Sequence, residues 1–119
     1  MKYVMLFGSA SDDTRAPLPE DQLAAIHGEI MTWWQRHEAA GVILGGERLQ
    51  SASTATTIRS NGSAKPELAD GPFIEAKEEI SGYGLIEVAD LDAAIALAQT
   101  WPALQIPGDS VEVRPVFAM

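Results

Sequence analysis

The chain has 119 residues, no cysteine, and 17 acidic against 8 basic side chains, which gives a formal net charge of −9. Residues 1–119 are therefore expected to form one domain, and the acidic balance argues against binding to nucleic acid or to anionic membrane surfaces. The lack of cysteine excludes disulfides, thiol nucleophiles and thiolate metal sites.

A short apolar segment opens the chain and predicts a first strand over Lys2 to Gly8. Its apolar run of five residues is too short for the hydrophobic region of a signal peptide, and no small-residue cleavage site follows it. No stretch approaches the ~20 apolar residues that a membrane-spanning helix needs. We therefore expect a cytoplasmic protein with no membrane partner.

A helix is predicted next, from Pro19 to the residues before Gly41. Glu20 and Asp21 stabilise its start, because acidic side chains suit the positive end of the helix dipole. Leu18, just before it, is a poor capping residue. The apolar positions recur every three or four residues and define one buried face: Leu23, Ile26, Ile30, Trp33 or Trp34, and His37.

The middle of the chain predicts a bulged strand followed by a hairpin. The strand begins at Val42-Ile43-Leu44, is interrupted at Gly45-Gly46 and resumes at Leu49, a pattern typical of a β-bulge. The hairpin comprises a strand over Thr54–Arg59, a turn at Asn61-Gly62 and a return strand over Lys65–Ala69. Pro66 confines that return strand to a sheet edge.

The last third predicts a second strand–helix–strand unit. Its parts, in chain order, are an irregular segment over 71–79, a strand over Tyr83–Val88, a helix capped by Asp90 and stopped by Pro102, and a strand over Ser110–Phe117. In the helix, Leu91, Ala94, Ile95, Ala98 and Trp101 mark a buried face. In the last strand, Val111, Val113 and Phe117 are expected on the buried face.

This order of elements predicts an α+β fold in which two helices cover one face of an antiparallel sheet, the ferredoxin-like arrangement. The other face of the sheet still carries Tyr, Phe, Ile and Val side chains. An open apolar face in a small protein commonly packs on a second copy with two-fold symmetry, so we expect a homodimer.

Local composition does not explain the segment Asp70-Gly71-Pro72-Phe73-Ile74-Glu75-Ala76-Lys77-Glu78, which resembles the signature of the DGPF-type branch of the YCII-related proteins. Further blocks are similar to this family in order: 2–6, 40–49, 54–59, 82–88 and 111–116. The resemblance implies a ferredoxin-like fold and a dimer built through the sheets, like the dimeric α/β barrels. It also implies a link to extracytoplasmic-function sigma factors for some members, but it assigns no reaction to the branch.

Asp70 and His27 are the candidate catalytic residues. Relatives of this family have a suggested His–Asp pair in a cleft and a distant likeness to muconolactone isomerases, so the resemblance implies acid/base chemistry for these two side chains. A histidine beside a carboxylate can transfer protons near neutral pH. The residues themselves leave another interpretation open, with Asp70 as a turn residue and His27 as a surface side chain.

Five further residues are candidates for ligand binding: Arg59, Arg114, Phe73, Lys77 and Tyr83. A guanidinium holds a carboxylate with two hydrogen bonds, and Lys77 also suits an anion. Aromatic side chains commonly line pockets. Each has a structural interpretation too: pairing of the arginines with Glu87 or Glu112, a solvated charge run around Lys77, and core or dimer interface for the two aromatic residues.

Neither a metal nor a cofactor is expected. His27 and His37 lie ten residues apart, which on one helix separates them by about 80° around the axis and about 15 Å along it, too far to ligate one metal ion. Gly45-Gly46 makes neither a P-loop nor a dinucleotide fingerprint. Two functions stay open: a small enzyme that performs acid/base chemistry on an organic molecule in a cleft beside the sheet, and a non-catalytic dimer that binds a ligand or a protein.

Overall fold

A computed structural model describes residues 1–10, 18–71 and 78–118. The helices and strands are, in chain order, β1 (Lys2–Ala10), α1 (Glu20–Ala39), β2 (Ile43–Arg48), β3 (Thr56–Arg59), β4 (Glu67–Asp70), β5 (Glu78–Glu87), α2 (Leu91–Ala98) and β6 (Ser110–Pro115). Four strands form an antiparallel sheet in the order β2-β5-β1-β6, and β3 pairs with β4 in a separate two-stranded sheet. The fold is therefore α+β.

Both helices start where the sequence predicts. Helix α1 begins directly after Pro19, which makes no capping hydrogen bond with a side chain, and Glu20 and Asp21 occupy its first turn. Helix α2 begins after Asp90, whose carboxylate accepts a hydrogen bond of 2.9 Å from the backbone N–H of Ala93. The N-termini of the two helices are thus stabilised differently. In α1 the fixed φ of Pro19 and the acidic residues of the first turn favour the helix, whereas α2 has a side-chain cap.

One face of the four-stranded sheet is covered by both helices. Alternate residues of β1, namely Tyr3, Met5 and Phe7, are buried on it. They share one core cluster with Trp33 of α1 and with Ala94 and Ala98 of α2. The core contains three packed aromatic rings. The ring of Phe7 stacks on Trp101 with 4.0 Å between the ring centroids, and Trp33 meets Trp101 edge-on with 5.0 Å between the centroids. Such contacts add to the energy of burial.

The predicted bulge in β2 is confirmed, because the register with β5 shifts between Ile43 and Gly45. The hairpin is confirmed as well, with Thr56 paired to Asp70 and Arg59 to Glu67, although its return strand covers Glu67–Asp70 instead of Lys65–Ala69. Its first strand starts two residues later than expected, since Ala52–Thr54 form a 3₁₀ turn in which the hydroxyl of Ser51 accepts from Ser53. Leu49, expected in β2, lies just beyond the end of that strand.

Two boundaries in the second half differ from the sequence-based expectation. Strand β5 begins at Glu78 instead of Tyr83, because β1 extends to Ala10 and pairs with those extra residues. Helix α2 ends at Ala98, although Trp101 packs on the core as predicted. Phe117 was expected on the buried face of β6, but the strand ends at Pro115 and the Phe117 side chain is 94% exposed. Val111 and Val113 do pack on the core.

Candidate functional site

His27 and Asp70, the candidate catalytic pair, lie on different elements. His27 is exposed in the first half of α1, and Asp70 is exposed at the end of β4, paired with Thr56. No hydrogen bond joins the two side chains. Within residues 1–10, 18–71 and 78–118, no group of three or more His, Asp or Glu side chains is placed to hold a metal ion.

The two candidate arginines occupy different parts of the fold. Arg114 lies on β6 and forms an ion pair with Glu112, two residues earlier on the same strand instead of across the sheet. Both side chains are more than half exposed, so this pair contributes little to stability. Arg59 ends β3, exposed and in register with Glu67. The structure thus separates the two guanidinium groups between the two sheets.

Of the three other ligand-binding candidates, Tyr83 alone is described. It lies on β5, 40% exposed, opposite Leu6 of β1 and Glu47 of β2. Phe73 and Lys77 lie outside the described residues, as does most of the signature segment that resembles the DGPF branch.

The sheet face opposite the helices, which we call the open face, is apolar in the middle and charged at the rim. Alternation along the strands and the register across them place these side chains together. The centre consists of Val4, Leu6, Ile80, Tyr83 and Leu85. The rim consists of Lys2, Glu47, Glu87, Glu112 and Arg114. Ile80 is 49% exposed, so a large part of its apolar surface meets solvent.

Strands β3 and β4, with the turn between them, form what we call the arm (Thr56–Asp70). Its strands pack mainly on each other, and all its residues but Thr57 are exposed. Ile58 and Leu68 pair across the arm while remaining 67% and 70% exposed. The arm is fixed at its base, where the carboxylate of Glu79, next to Ile80, accepts a hydrogen bond of 2.9 Å from the N–H of Ala52. Glu79 pairs with Ser9 on the helix-covered side of the sheet, so this anchor holds the chain leading into the arm at the end of β5.

A groove of about 530 Å³, which we call the helix groove, lies on the other side of the molecule between α1 and α2. Its lining is mostly apolar and contains no acidic residue: Trp33, Arg36, His37, Val42, Val88, Ala93, Ala96, Leu97 and Thr100. The Trp33 indole N–H donates a hydrogen bond of 2.8 Å to the Thr100 hydroxyl, which donates in turn to the carbonyl of Leu97. These bonds fix one wall of the groove.

The polar groups of the helix groove are Arg36 and His37. Arg36 makes no ion pair and His37 no hydrogen bond within the described chain. The His37 ring meets Trp33 edge-on at 4.8 Å. Burial, and secondarily the positive charge of Arg36, lower the pKa of His37 from its ordinary value of 6.5, so the imidazole is neutral at pH 7. One ring nitrogen of a neutral imidazole donates a hydrogen bond and the other accepts one.

Sequence reasoning placed His37 on the buried face of the helix and did not connect it with Arg36. A basic pair in the last turn of a helix is also what the negative end of the helix dipole favours, so the pattern by itself carries no functional signal. What distinguishes the site is α2, which brings Leu97 and Thr100 beside these residues from sixty positions away. Spacing within α1 cannot reveal that contact.

Two comparisons place the chain among known proteins. The family model of the YCII-related domain matches residues 1–119. An uncharacterised protein of Rhizobium meliloti (strain 1021) is 33% identical over 82 residues, which cover 69% of this chain and 65% of that relative. The chain thus aligns with just under two thirds of the length of this relative. In the described part of the chain, no helix is both long and apolar enough to cross a membrane.

Proposed function

This chain belongs to the YCII-related domain family, and from that premise we propose that it works as a homodimeric, non-catalytic binding module assembled through the open face. The observation that carries the proposal is the apolar centre of that face, which no element of the described chain covers. The shortest dimension of the molecule is 20 Å, about the depth of one sheet and one layer of helices.

The strand order supports the ferredoxin-like arrangement that we propose for the fold. When β1, β2, β5 and β6 are counted as strands 1 to 4, the sheet order β2-β5-β1-β6 reads 2-3-1-4. Helix α1 connects strands 1 and 2, and helix α2 connects strands 3 and 4. The segment from Asp70 to Glu78 supports assignment to the DGPF-type branch. Because some members of that branch are linked to extracytoplasmic-function sigma factors, we include a role in sigma-factor regulation in the proposal.

The open face has the anatomy of a protein interface. Specific interfaces have an apolar core that contains aromatic residues and a polar rim that solvent can reach, which matches Leu6 and Tyr83 inside and the charged side chains around them. In a two-fold dimer the same patch meets itself, so it must be self-complementary. The rim carries both signs, with Lys2 and Arg114 against three glutamates, so the two copies have opposite charges to pair.

The arm supports a second copy as the occupant of this region. A two-stranded hairpin is at best marginally stable in water, yet the arm exposes Ile58 and Leu68 to solvent. The radius of gyration is 16.3 Å, whereas a compact chain of this length has about 13.5 Å. The exposed apolar pair of the arm is thus surface that the described chain leaves for a partner to cover. We propose that each arm packs on the partner.

The binding function is preferred over catalysis because acid/base chemistry at His27 and Asp70 needs the two groups within hydrogen-bond reach of each other or of one substrate. Both are exposed, on α1 and on the arm, and share no hydrogen bond.

The test of the proposal is the mass of the protein in solution. Light scattering at micromolar concentration should give twice the chain mass of 12.7 kDa. Leu6→Lys and Tyr83→Lys, which place a charge in the apolar centre, should give the single-chain mass. Met31→Lys, on an exposed position of α1, is the matched control and should remain dimeric.

Circular dichroism establishes that each variant keeps the fold, so that a loss of mass reports on association alone. A wild-type mass of one chain at this concentration would overturn the proposed dimer. A dimer that survives both open-face substitutions would show that another surface forms the interface.

A further inference from the structure

The helix groove differs from a second groove next to it in having no acidic residue in its lining. Arg36 lines both the helix groove and a second groove along α1, which Pro102 also lines. The second groove is also lined by Glu29, whose carboxylate accepts a hydrogen bond of 2.6 Å from the amide of Gln105. The helix groove has no acidic lining residue, and the acids next to it in sequence, Glu38 and Asp92, do not line it.

The helix groove offers Arg36 no carboxylate of its own, since none of the residues that line it is acidic. Arg36 faces an acid-free groove, where a carboxylate from outside can take both hydrogen bonds of the guanidinium fork. The neutral His37 beside it can donate one more hydrogen bond to the same anion.

The remaining walls determine the rest of the ligand. Val42, Val88 and Leu97 are apolar, and Thr100 has its hydroxyl occupied by Trp33 and Leu97. The groove volume of about 530 Å³ lies within the ~300–1,000 Å³ range of small-molecule sites. We infer that the helix groove binds a small organic monocarboxylate, with its carboxylate on Arg36 and His37 and its apolar body against Val42, Val88 and Leu97.

A single negative charge fits better than a phosphate or a dicarboxylate. One guanidinium neutralises one charge, and the protein's net charge of −9 repels a second. The apolar walls stabilise a ligand whose other end is hydrocarbon, at about 25 cal/mol per Å² of buried surface. This inference rests on the proposed function only in its choice of binding over catalysis, since the groove lies on the side of the sheet opposite the proposed dimer interface.

The test uses benzoate and hexanoate as probes and follows the imidazole signals of His37 and His27 by NMR with the full-length protein. Both probes should shift the His37 signals in a saturable way and leave those of His27, exposed on the same helix, unchanged. Benzyl alcohol, which has no charge, should bind at least about tenfold more weakly, a difference of ~1.4 kcal/mol. Inorganic phosphate should bind no better than chloride.

Two arginine substitutions separate a specific site from general anion attraction. Arg36→Gln should weaken benzoate binding about tenfold, whereas Arg48→Gln, which removes an equal charge from an exposed position on β2, should change it less than twofold. The inference is overturned if benzoate leaves His37 unaffected, shifts both histidines alike, or binds Arg36→Gln as well as the wild type. The Leu6→Lys variant should bind benzoate normally although it is monomeric. In the wild-type protein, a dimer that does not bind benzoate rejects this inference alone, and a single-chain mass with normal benzoate binding rejects the proposed interface alone.

Discussion

The two faces of the four-stranded sheet are built from the same strands, often from adjacent residues, and yet they have opposite properties. Met5 of β1 is fully buried beneath the helices, whereas Leu6, the next residue, lies half-buried on the open face. On the covered face the neighbours are fixed and large, among them Phe7, Trp33 and Trp101. No helix or strand of the described chain lies over the open face, and the proposed function assigns that apolar surface to a partner.

This difference determines where substitutions should act. A residue of the covered face stabilises the fold through contacts that one copy already makes, and burying a large apolar side chain contributes about 1.5–3 kcal/mol. A half-exposed residue of the open face or the arm contributes less to folding, and in the proposed dimer it contributes to association. The comparison therefore predicts that folding and dimerisation respond to separate sets of residues.

The largest effect is expected from Met5→Ala on the covered face. Met5 is 0% exposed, so its truncation leaves a cavity and should lower the free energy of unfolding by about 2–5 kcal/mol. Met31→Ala, the same substitution at a position 59% exposed on α1, should change it by less than about 0.5 kcal/mol. Urea denaturation measures both. Equal losses in the two variants would contradict the burial assigned to Met5.

The next largest loss of stability is expected at Gly46, where β2, β5 and α1 approach one another closely. A Cβ on Gly46 would collide with the backbone carbonyl of Tyr83 and lie 2.6 Å from the Trp34 ring. Gly46→Ala should therefore cost about 1–3 kcal/mol through overpacking.

Gly28→Ala is the matched control in α1, where a new Cβ meets nothing within 4 Å. It should stabilise the protein by about 0.5–1 kcal/mol, because alanine favours helix more than glycine does. The two substitutions are thus expected to have opposite signs in the same denaturation experiment, and a gain in stability for Gly46→Ala would refute the close approach.

Most of the fold was predictable from the sequence because its signals are local. Apolar spacing marked the buried side of α1, Asp90 marked the start of α2, and Asn61-Gly62 marked the turn of the arm. The errors fall where tertiary pairing overrides local pattern. Glu78 and Glu79 look like a solvated charge run, but they extend β5 because β1 offers Ala10 and Ser9 as partners.

The sites were less predictable, since chemistry depends on which distant residues meet. The family resemblance singled out His27 and Asp70, but nothing in the intervening forty-two positions indicates that one lies on α1 and the other on an arm with few contacts to the main sheet. Arg36 and His37 were overlooked because their role depends on α2. Helix periodicity placed His37 on the buried face of α1, where it is half-buried, but it says nothing about what covers it.

Substitutions in the arm are expected to have a smaller effect, which weakens the proposed dimer without changing the stability of the single chain. Replacing both Ile58 and Leu68 by serine should change the unfolding free energy of the monomeric Leu6→Lys background by less than about 0.5 kcal/mol, because both side chains are already exposed. In the otherwise wild-type protein the same pair should raise the dimer dissociation constant about tenfold, or ~1.4 kcal/mol.

Analytical ultracentrifugation measures that dissociation constant, and Lys65→Ser, exposed near the turn of the arm, is the control that should leave it unchanged. If the double variant dimerises as tightly as the wild type, then the arm makes no contact with the second copy. The open face would have to account for the whole interface.

The smallest effect concerns His37, which belongs to the covered side of the sheet and adjoins solvent through the helix groove. Its pKa is lowered in the folded state, mainly by burial, so the unfolded chain binds a proton more readily than the folded one between the folded pKa and 6.5. The stability that this group contributes is therefore complete above pH 6.5 and is lost as the pH falls through that window, after which the loss levels off.

His37→Gln should abolish this pH-dependent component of stability, whereas His27→Gln should retain it. Comparing urea midpoints of the three proteins between about pH 5 and about pH 8 isolates the effect from the carboxylates, which are common to all of them. If the His37→Gln and wild-type proteins lose stability in parallel over this range, then the imidazole is as well solvated when folded as when unfolded, and the groove beside it is too open to hold a ligand by desolvation.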